Sequence, residues 1–243
     1  MSLLELVKTG KQIGPRRTFI YGVDGVGKST FAASFPKPIF ICTESGLDDI
    51  DTASFPISTD FESVINNLTS LVTEGHEYET VCIDSLDWLE PLVFDFVCRE
   101  NGVTSIGGIP HGKGYMLAGD QWSRVINGLN MLREKKNMNV VLIAHSKIEA
   151  FKDPEMEDYD RFSPNINKRP SALLREWADE VFFCNYKTFI KDSDTSQKLK
   201  GVGNGDRIIK TQARPSFQAK NRLGMPLEVK LDYDVYKTYL PKQ

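Results

Sequence analysis

Eight residues near the start of the chain have the types and spacing of a phosphate cradle. Gly22-Val23-Asp24-Gly25-Val26-Gly27-Lys28-Ser29 matches G-x-x-x-x-G-K-[ST] at every fixed position. The glycines let the backbone curl so that several N–H groups converge on one phosphate, and the helix expected to follow adds its dipole. Lys28 is expected to reach the β- and γ-phosphates and Ser29 to hold Mg²⁺ through its hydroxyl, with Thr30 a less suitable substitute. The competing reading is a Gly-rich turn before a helix that binds nothing; the Lys-Ser pair after the last glycine argues against it.

Such a metal also needs a carboxylate from the end of a neighbouring strand. Asp84 closes the apolar run Thr80-Val81-Cys82-Ile83-Asp84, which places it at the carboxyl edge of a sheet. It is expected to bind Mg²⁺ through water, the alternative being an N-cap for the helix starting at Leu86, a role open to Ser85 as well. Asp87 reads as a first-turn acid that offsets the helix dipole. The residue after Asp84 is serine and not glutamate. This disfavours ATPases that place a catalytic glutamate there, and the absence of an Asn-Lys-x-Asp segment disfavours GTPases. A glutamate follows the second strand instead, in Phe40-Ile-Cys-Thr-Glu44-Ser-Gly-Leu-Asp48.

The elements that must position these groups alternate along the chain. Arg17–Gly22 and Pro38–Cys42 read as strands, with a helix from Lys28 to about Phe35 between them. Phe61, Val64, Ile65, Leu68, Leu71 and Val72 have helical spacing over Phe61–Thr73. Thr80–Asp84 is a third strand, Leu86–Arg99 a helix, Asp120–Lys136 a longer helix, Asn139–Ala144 a continuous apolar strand and Asp179–Tyr186 another. Asn101–Gly119, with six glycines and a proline, and Ala150–Pro170, polar with three prolines, read as two long loops. Gly201–Gly205 reads as a hairpin turn among late strands. Buried strands alternating with helices predict an α/β fold: a mainly parallel sheet flanked by helices, with an antiparallel C-terminal extension. No internal repeat is visible.

With 243 residues and 40% hydrophobic content the chain can bury one sizeable core. We expect a single domain over 1–243, with a core of about 18–186 and a β extension of about 187–243. The net charge of −3 excludes a uniformly basic polyanion binder. The charge is nevertheless asymmetric: residues 1–160 carry 14 basic against 24 acidic side chains, and residues 161–243 carry 16 against 9. That leaves a basic face on the C-terminal third or a scatter of solvated charges as alternatives. Four cysteines without a CxxC pair read as reduced thiols, with Cys42, Cys82 and Cys184 inside apolar runs. No apolar run approaches the roughly 20 residues of a membrane span, and a cytoplasmic protein is expected.

The P-loop, Glu44 with its Gly-Leu-Asp continuation, and Asn139–His145 together resemble the RecA-like P-loop ATPases. The resemblance spans about Thr18 to Leu231 and implies the fold as well as the site. It makes Glu44 the general base that orients the attacking water. It makes His145 the polar sensor of the γ-phosphate at a strand end. It places mobile DNA-contacting loops at Asn101–Gly119 and Ser146–Pro170, where Lys113, Lys147, Lys152, Arg161, Lys168 and Arg169 are candidates for phosphates. Tyr115, Phe151, Tyr159 and Phe162 are candidates for stacking on bases, although Asp153, Glu155, Glu157, Asp158 and Asp160 make the second loop acidic in its middle. Lys220-Asn-Arg222 is similar in placement to the Lys-x-Arg pair of DnaB-like hexamers, which reaches a neighbouring subunit's γ-phosphate; a homo-oligomer with trans-acting Lys220 and Arg222 is implied. A minimal core of this type looks like the small phage-type ATPases of recombination and single-strand annealing, whose place of action is the host cytoplasm. The resemblance thus implies an ATP- and Mg²⁺-dependent ATPase stimulated by single-stranded DNA. A nucleotide-switched assembly or signalling ATPase is the alternative. A small-molecule kinase is disfavoured because Ala150–Pro170 offers only Arg161 and Arg169 for a lid.

Overall fold

Runs such as Phe19-Ile20-Tyr21 and Val140-Val141-Leu142-Ile143 are apolar at consecutive positions, so both faces of their strands must be covered. The computed structural model, which describes residues 3–155, 157–191 and 200–241, shows how. Nine strands form one sheet: β1 (Arg17–Gly22), β2 (Pro38–Cys42), β3 (Ala53–Ser54), β4 (Thr80–Asp84), β5 (Asn139–Phe151), β6 (Tyr159–Pro164), β7 (Glu180–Lys191), β8 (Lys200–Lys210) and β9 (Glu228–Lys230). Their order is β3-β2-β4-β5-β1-β7-β8-β9, with β6 paired to β5. Pairing is parallel from β3 to β7 and antiparallel in β7–β8, β8–β9 and β5–β6. This is the α/β class expected from the sequence, a mainly parallel sheet flanked by helices with an antiparallel C-terminal extension.

Alternate side chains of each strand feed two cores. Phe19, Tyr21, Val81, Ile83, Leu142 and Ala144 pack under α2 (Phe61–Thr73), α3 (Leu86–Glu100) and α4 (Lys113–Lys136). Ile20, Phe40, Val141, Ile143 and Phe182 pack against α1 (Lys28–Ala33) and the short α6 (Tyr233–Tyr236). The parallel strands share one direction, so Gly22, Cys42, Asp84 and His145 arrive at the same edge. Gly22 is level with His145, and Cys42 with Asp84.

Three expectations require correction. Helix α4 begins at Lys113, not at Asp120. Gly114 is not a breaker there: a Cβ at that position would lie 2.3 Å from the carbonyl oxygen of Ile106, so the glycine permits a close approach. The Ala150–Pro170 segment is not a loop. Strand β5 continues to Phe151 and turns back as β6, and α5 (Lys168–Trp177) follows. Gly201–Gly205 is not a turn: it lies within β8, paired with β7 as Gly203 opposite Thr188 and Gly201 opposite Ile190. The four cysteines are buried and free, and burial pushes the Cys42 thiol up to about 11. No described helix is long and apolar enough to cross a membrane.

Candidate active site

The P-loop is shaped by close packing at its entrance and a left-handed turn at its exit. A Cβ on Gly22 would lie 2.0 Å from the Cys184 carbonyl oxygen, so β1 can abut β7 here only with glycine. Gly27 has φ +97° and leads directly into α1, which leaves the first helical N–H groups facing the loop. Lys28 is buried. Its Nζ donates to the carbonyls of Gly22 at 3.1 Å and Val23 at 3.0 Å. Burial lowers its pKa, against the pull of neighbouring acids.

Ser29 and Asp84 meet. Ser29 Oγ donates to Asp84 Oδ2 at 2.6 Å, at the buried end of β4. Asp84 does not cap α3; the N-cap position is Ser85, which makes no side-chain cap bond. Burial raises the Asp84 pKa, while the Ser29 bond and Lys28 oppose the rise. One hydroxyl and one carboxylate are hard oxygen donors of the kind that suit Mg²⁺, which keeps several waters and takes the rest of its shell from phosphate.

Glu44 follows β2 and accepts a hydrogen bond from Ser85 Oγ. Burial raises its pKa, with the Ser85 bond and His145 opposing. His145 is not at a strand end, because β5 runs six residues further; it projects from mid-strand at the level of Gly22. Its Nδ1 lies 2.8 Å from Asp87 Oδ2 and 4.0 Å from Glu44 Oε1, and its backbone N–H donates to Asp87 Oδ1 at 2.9 Å. The Asp87 bond raises the pKa of His145 despite burial. Asp87 is therefore more than a first-turn acid: it orients the histidine. Its spacing of three from Asp84 put it in the first turn of a helix aimed at the site, which was the available signal.

Lys28, Ser29, Glu44, Asp84 and His145 line one cleft of about 380 Å³, together with P-loop residues such as Gly25, Gly27 and Thr30. The AAA domain family model matches residues 14–223 of the chain. The chain belongs to the AAA domain family. This AAA protein is 31% identical over 231 residues to the SPbeta prophage-derived uncharacterized protein YorG of Bacillus subtilis (strain 168). The match covers 92% of the chain and 61% of YorG, so the chain spans less than two thirds of that relative. Among solved structures it is similar to the RadB recombinase, with 14% identity, a TM-score of 0.45 and coverage of 81% of this chain and 80% of that one.

Two further groups of expected residues lie away from the cleft of this AAA domain. Lys220 pairs with Val181 near the start of β7, and its Nζ donates to the carbonyls of Arg175, Glu176 and Ala178 at the end of α5. Those bonds commit its three protons inside its own chain. Arg222 is half exposed and bonds Asp179 Oδ1 at 3.1 Å. Asp179 also receives Arg17, at the far end of β1 from Gly22, roughly 17 Å away along the strand. Arg222 therefore does not reach its own chain's P-loop.

The basic C-terminal third is not one free face. Lys187 pairs with Glu228, Lys230 with Asp232 and Lys237 with Asp234. On the β5–β6 hairpin, Arg161 lies over Phe151 and beside Glu149, and Phe162 stacks on Phe183 at 4.9 Å. Phe162 is thus a core residue, whereas Lys147, Lys168 and Arg169 converge with Tyr115 on a cleft of about 360 Å³.

Proposed function

We propose that this AAA-type ATPase hydrolyses ATP with Mg²⁺ and couples the cycle to single-stranded DNA in recombination or annealing. The observation that carries the coupling is the path of β5. His145 faces the nucleotide cleft, and Lys147, two residues further on, lines two adjoining basic clefts of about 360 and 300 Å³ that also share Lys168. Arg169 and Tyr115 line the first, and Phe151 and Arg161 the second. Such a groove of cations, with Tyr115 exposed beside it, suits a flexible strand, which is gripped by its phosphates and stacks a base on that ring. YorG's prophage origin agrees with a phage-type role.

In the nucleotide cleft, the loop N–H groups and Lys28 hold the phosphates. Ser29, and Asp84 through water, would hold Mg²⁺, which would supply charge neutralisation to the phosphates. Glu44, raised in basicity by burial, accepts the proton of the attacking water. His145, held by Asp87, donates towards the γ-phosphate and links its presence to β5. The domain acts as a homo-oligomer, in which Arg222 serves a neighbour's site; Lys220 positions that segment by tying it to α5.

A signalling or assembly role without nucleic acid has one observation in its favour: Asp153, Glu155, Glu157 and Asp158 put negative charge at the tip of the hairpin beside the basic clefts. Binding of a labelled oligonucleotide with and without a non-hydrolysable ATP analogue decides between the two. ATP-dependent binding supports the DNA reading, and no binding in either state supports the other.

A further inference from the structure

The cleft has a third wall that the catalytic residues do not explain. It comes from β8, and its residue is Arg207. Arg207 is paired across the sheet with Tyr186 of β7. Two positions away on each strand, Ile209 and Cys184 sit in the same core as Phe31 of α1, so the strand period places Arg207 and Tyr186 on the P-loop face. The pairing shifts register just beyond them, between Tyr186 and Thr188, and such an irregularity re-aims a strand beside a site. Tyr186 Oη donates to the Gly25 carbonyl at 3.0 Å. A Cβ on Gly27 would lie 3.0 Å from Arg207 Nη1, so the guanidinium rests directly over the loop.

The electrostatics of the cleft ask for this cation. Glu44 and Asp84 line it, Asp87 and Asp24 flank His145, and Lys28 is drawn onto the loop carbonyls. A polyphosphate entering among four carboxylates needs more positive charge than one buried lysine provides. Arg207 is exposed and has no carboxylate or carbonyl partner among the described residues. Its planar fork matches phosphate oxygens. Loop N–H groups cradle the α- and β-phosphates in a motif of this type. Arg207 lies over that loop at Gly27.

We propose that Arg207 is a nucleotide-contact residue acting in cis, binding the α/β-phosphates of the nucleotide held by its own chain's P-loop, with Tyr186 fixing β7 against Gly25. The late antiparallel strands then complete the nucleotide site. The proposal rests on the P-loop reading above and deepens it.

The experiment measures the affinity of fluorescent ADP and of a non-hydrolysable ATP analogue for wild type, Arg207→Ala, Arg207→Lys and Lys28→Ala, with thermal melts to confirm folding. Arg207→Ala is expected to weaken both nucleotides by the same factor, roughly ten- to hundredfold, the scale of a hydrogen bond to a charged group. Arg207→Lys is expected to fall between wild type and alanine for both. Unchanged affinity for ADP in Arg207→Ala overturns the proposal, whether or not the triphosphate is affected. If Lys28→Ala loses binding while Arg207→Ala does not, the P-loop reading stands and this one falls. If wild type binds neither nucleotide, both fall.

Discussion

Asp87 grips His145 at two points, accepting from the backbone N–H at 2.9 Å and lying 2.8 Å from the ring Nδ1. A carboxylate from the first turn of α3 thereby sets the orientation of a ring on β5. That ring faces the same cleft as the P-loop.

The first prediction follows from this pair. The Asp87 bond is the main cause of the raised His145 pKa, with burial opposing. In Asp87→Asn the His145 pKa is expected to fall, read as a downfield-to-upfield shift of its ring signal at lower pH in an NMR titration. Because the folded value is raised, the charged pair stabilises the fold fully below the unfolded histidine value, about 6.5, and this contribution disappears as pH rises through the folded value. The melting-temperature gap between wild type and Asp87→Asn is therefore expected to narrow from pH 6 to pH 9. An unchanged His145 titration contradicts the assignment.

Lys28→Ala is expected to abolish nucleotide binding and turnover. Lys28 is buried and bonds two loop carbonyls, so the substitution also has a structural cost, on the order of 1 kcal/mol. At this chain length that lowers the melting temperature by roughly 2–4 °C. Calorimetry and an ATPase assay separate the two effects; wild-type turnover sinks the phosphate-site assignment.

Glu44→Gln is expected to keep nucleotide affinity and lose turnover by about a hundredfold or more, the scale of a general base. Burial raises the Glu44 pKa, so wild-type turnover is expected to fall on the acid side as the carboxylate takes up a proton. Normal hydrolysis by the glutamine variant assigns the water to another group.

Arg222 provides the test of assembly. It bonds Asp179, remote from its own P-loop, and is half exposed. Arg222→Ala is expected to bind ATP and hydrolyse it poorly, since an arginine supplied in trans is worth about a thousandfold or more in rate. Mixing Arg222→Ala with Glu44→Gln subunits creates some interfaces with an intact base facing an intact arginine, and activity is expected to return in part. A dead mixture, with mixed oligomers shown to form, removes Arg222 from the neighbour's site.

What could be read from the sequence was what is local and apolar. β1, β2 and β4 have the bounds their apolar runs indicate, because strands buried on both faces announce themselves at every position. The P-loop, Glu44, Asp84 and His145 were legible because each sits at the end or level of such a run, and the parallel sheet carries them to one edge. The β5–β6 hairpin was not legible: its prolines and acidic tip look like a loop, and only pairing such as Glu149 opposite Arg161 makes it a strand. Gly114 was misread because a glycine that admits Ile106 and one that breaks a helix look alike in one dimension. Asp87 and Arg207 were missed for a shared reason. Their roles are contacts made across long stretches of chain, 58 residues in the case of Asp87, for which its place in the first turn of α3 was the one local sign.

The most direct test of the account is steady-state ATP turnover by the wild-type chain with and without single-stranded DNA, at two salt concentrations. Turnover is expected to rise when DNA is added, and the stimulation to weaken at higher salt. Affinity should follow a log–log salt slope of about −0.7 for each phosphate neutralised by Lys147, Lys168 and Arg169. Turnover that is the same with and without DNA at both salt concentrations contradicts it.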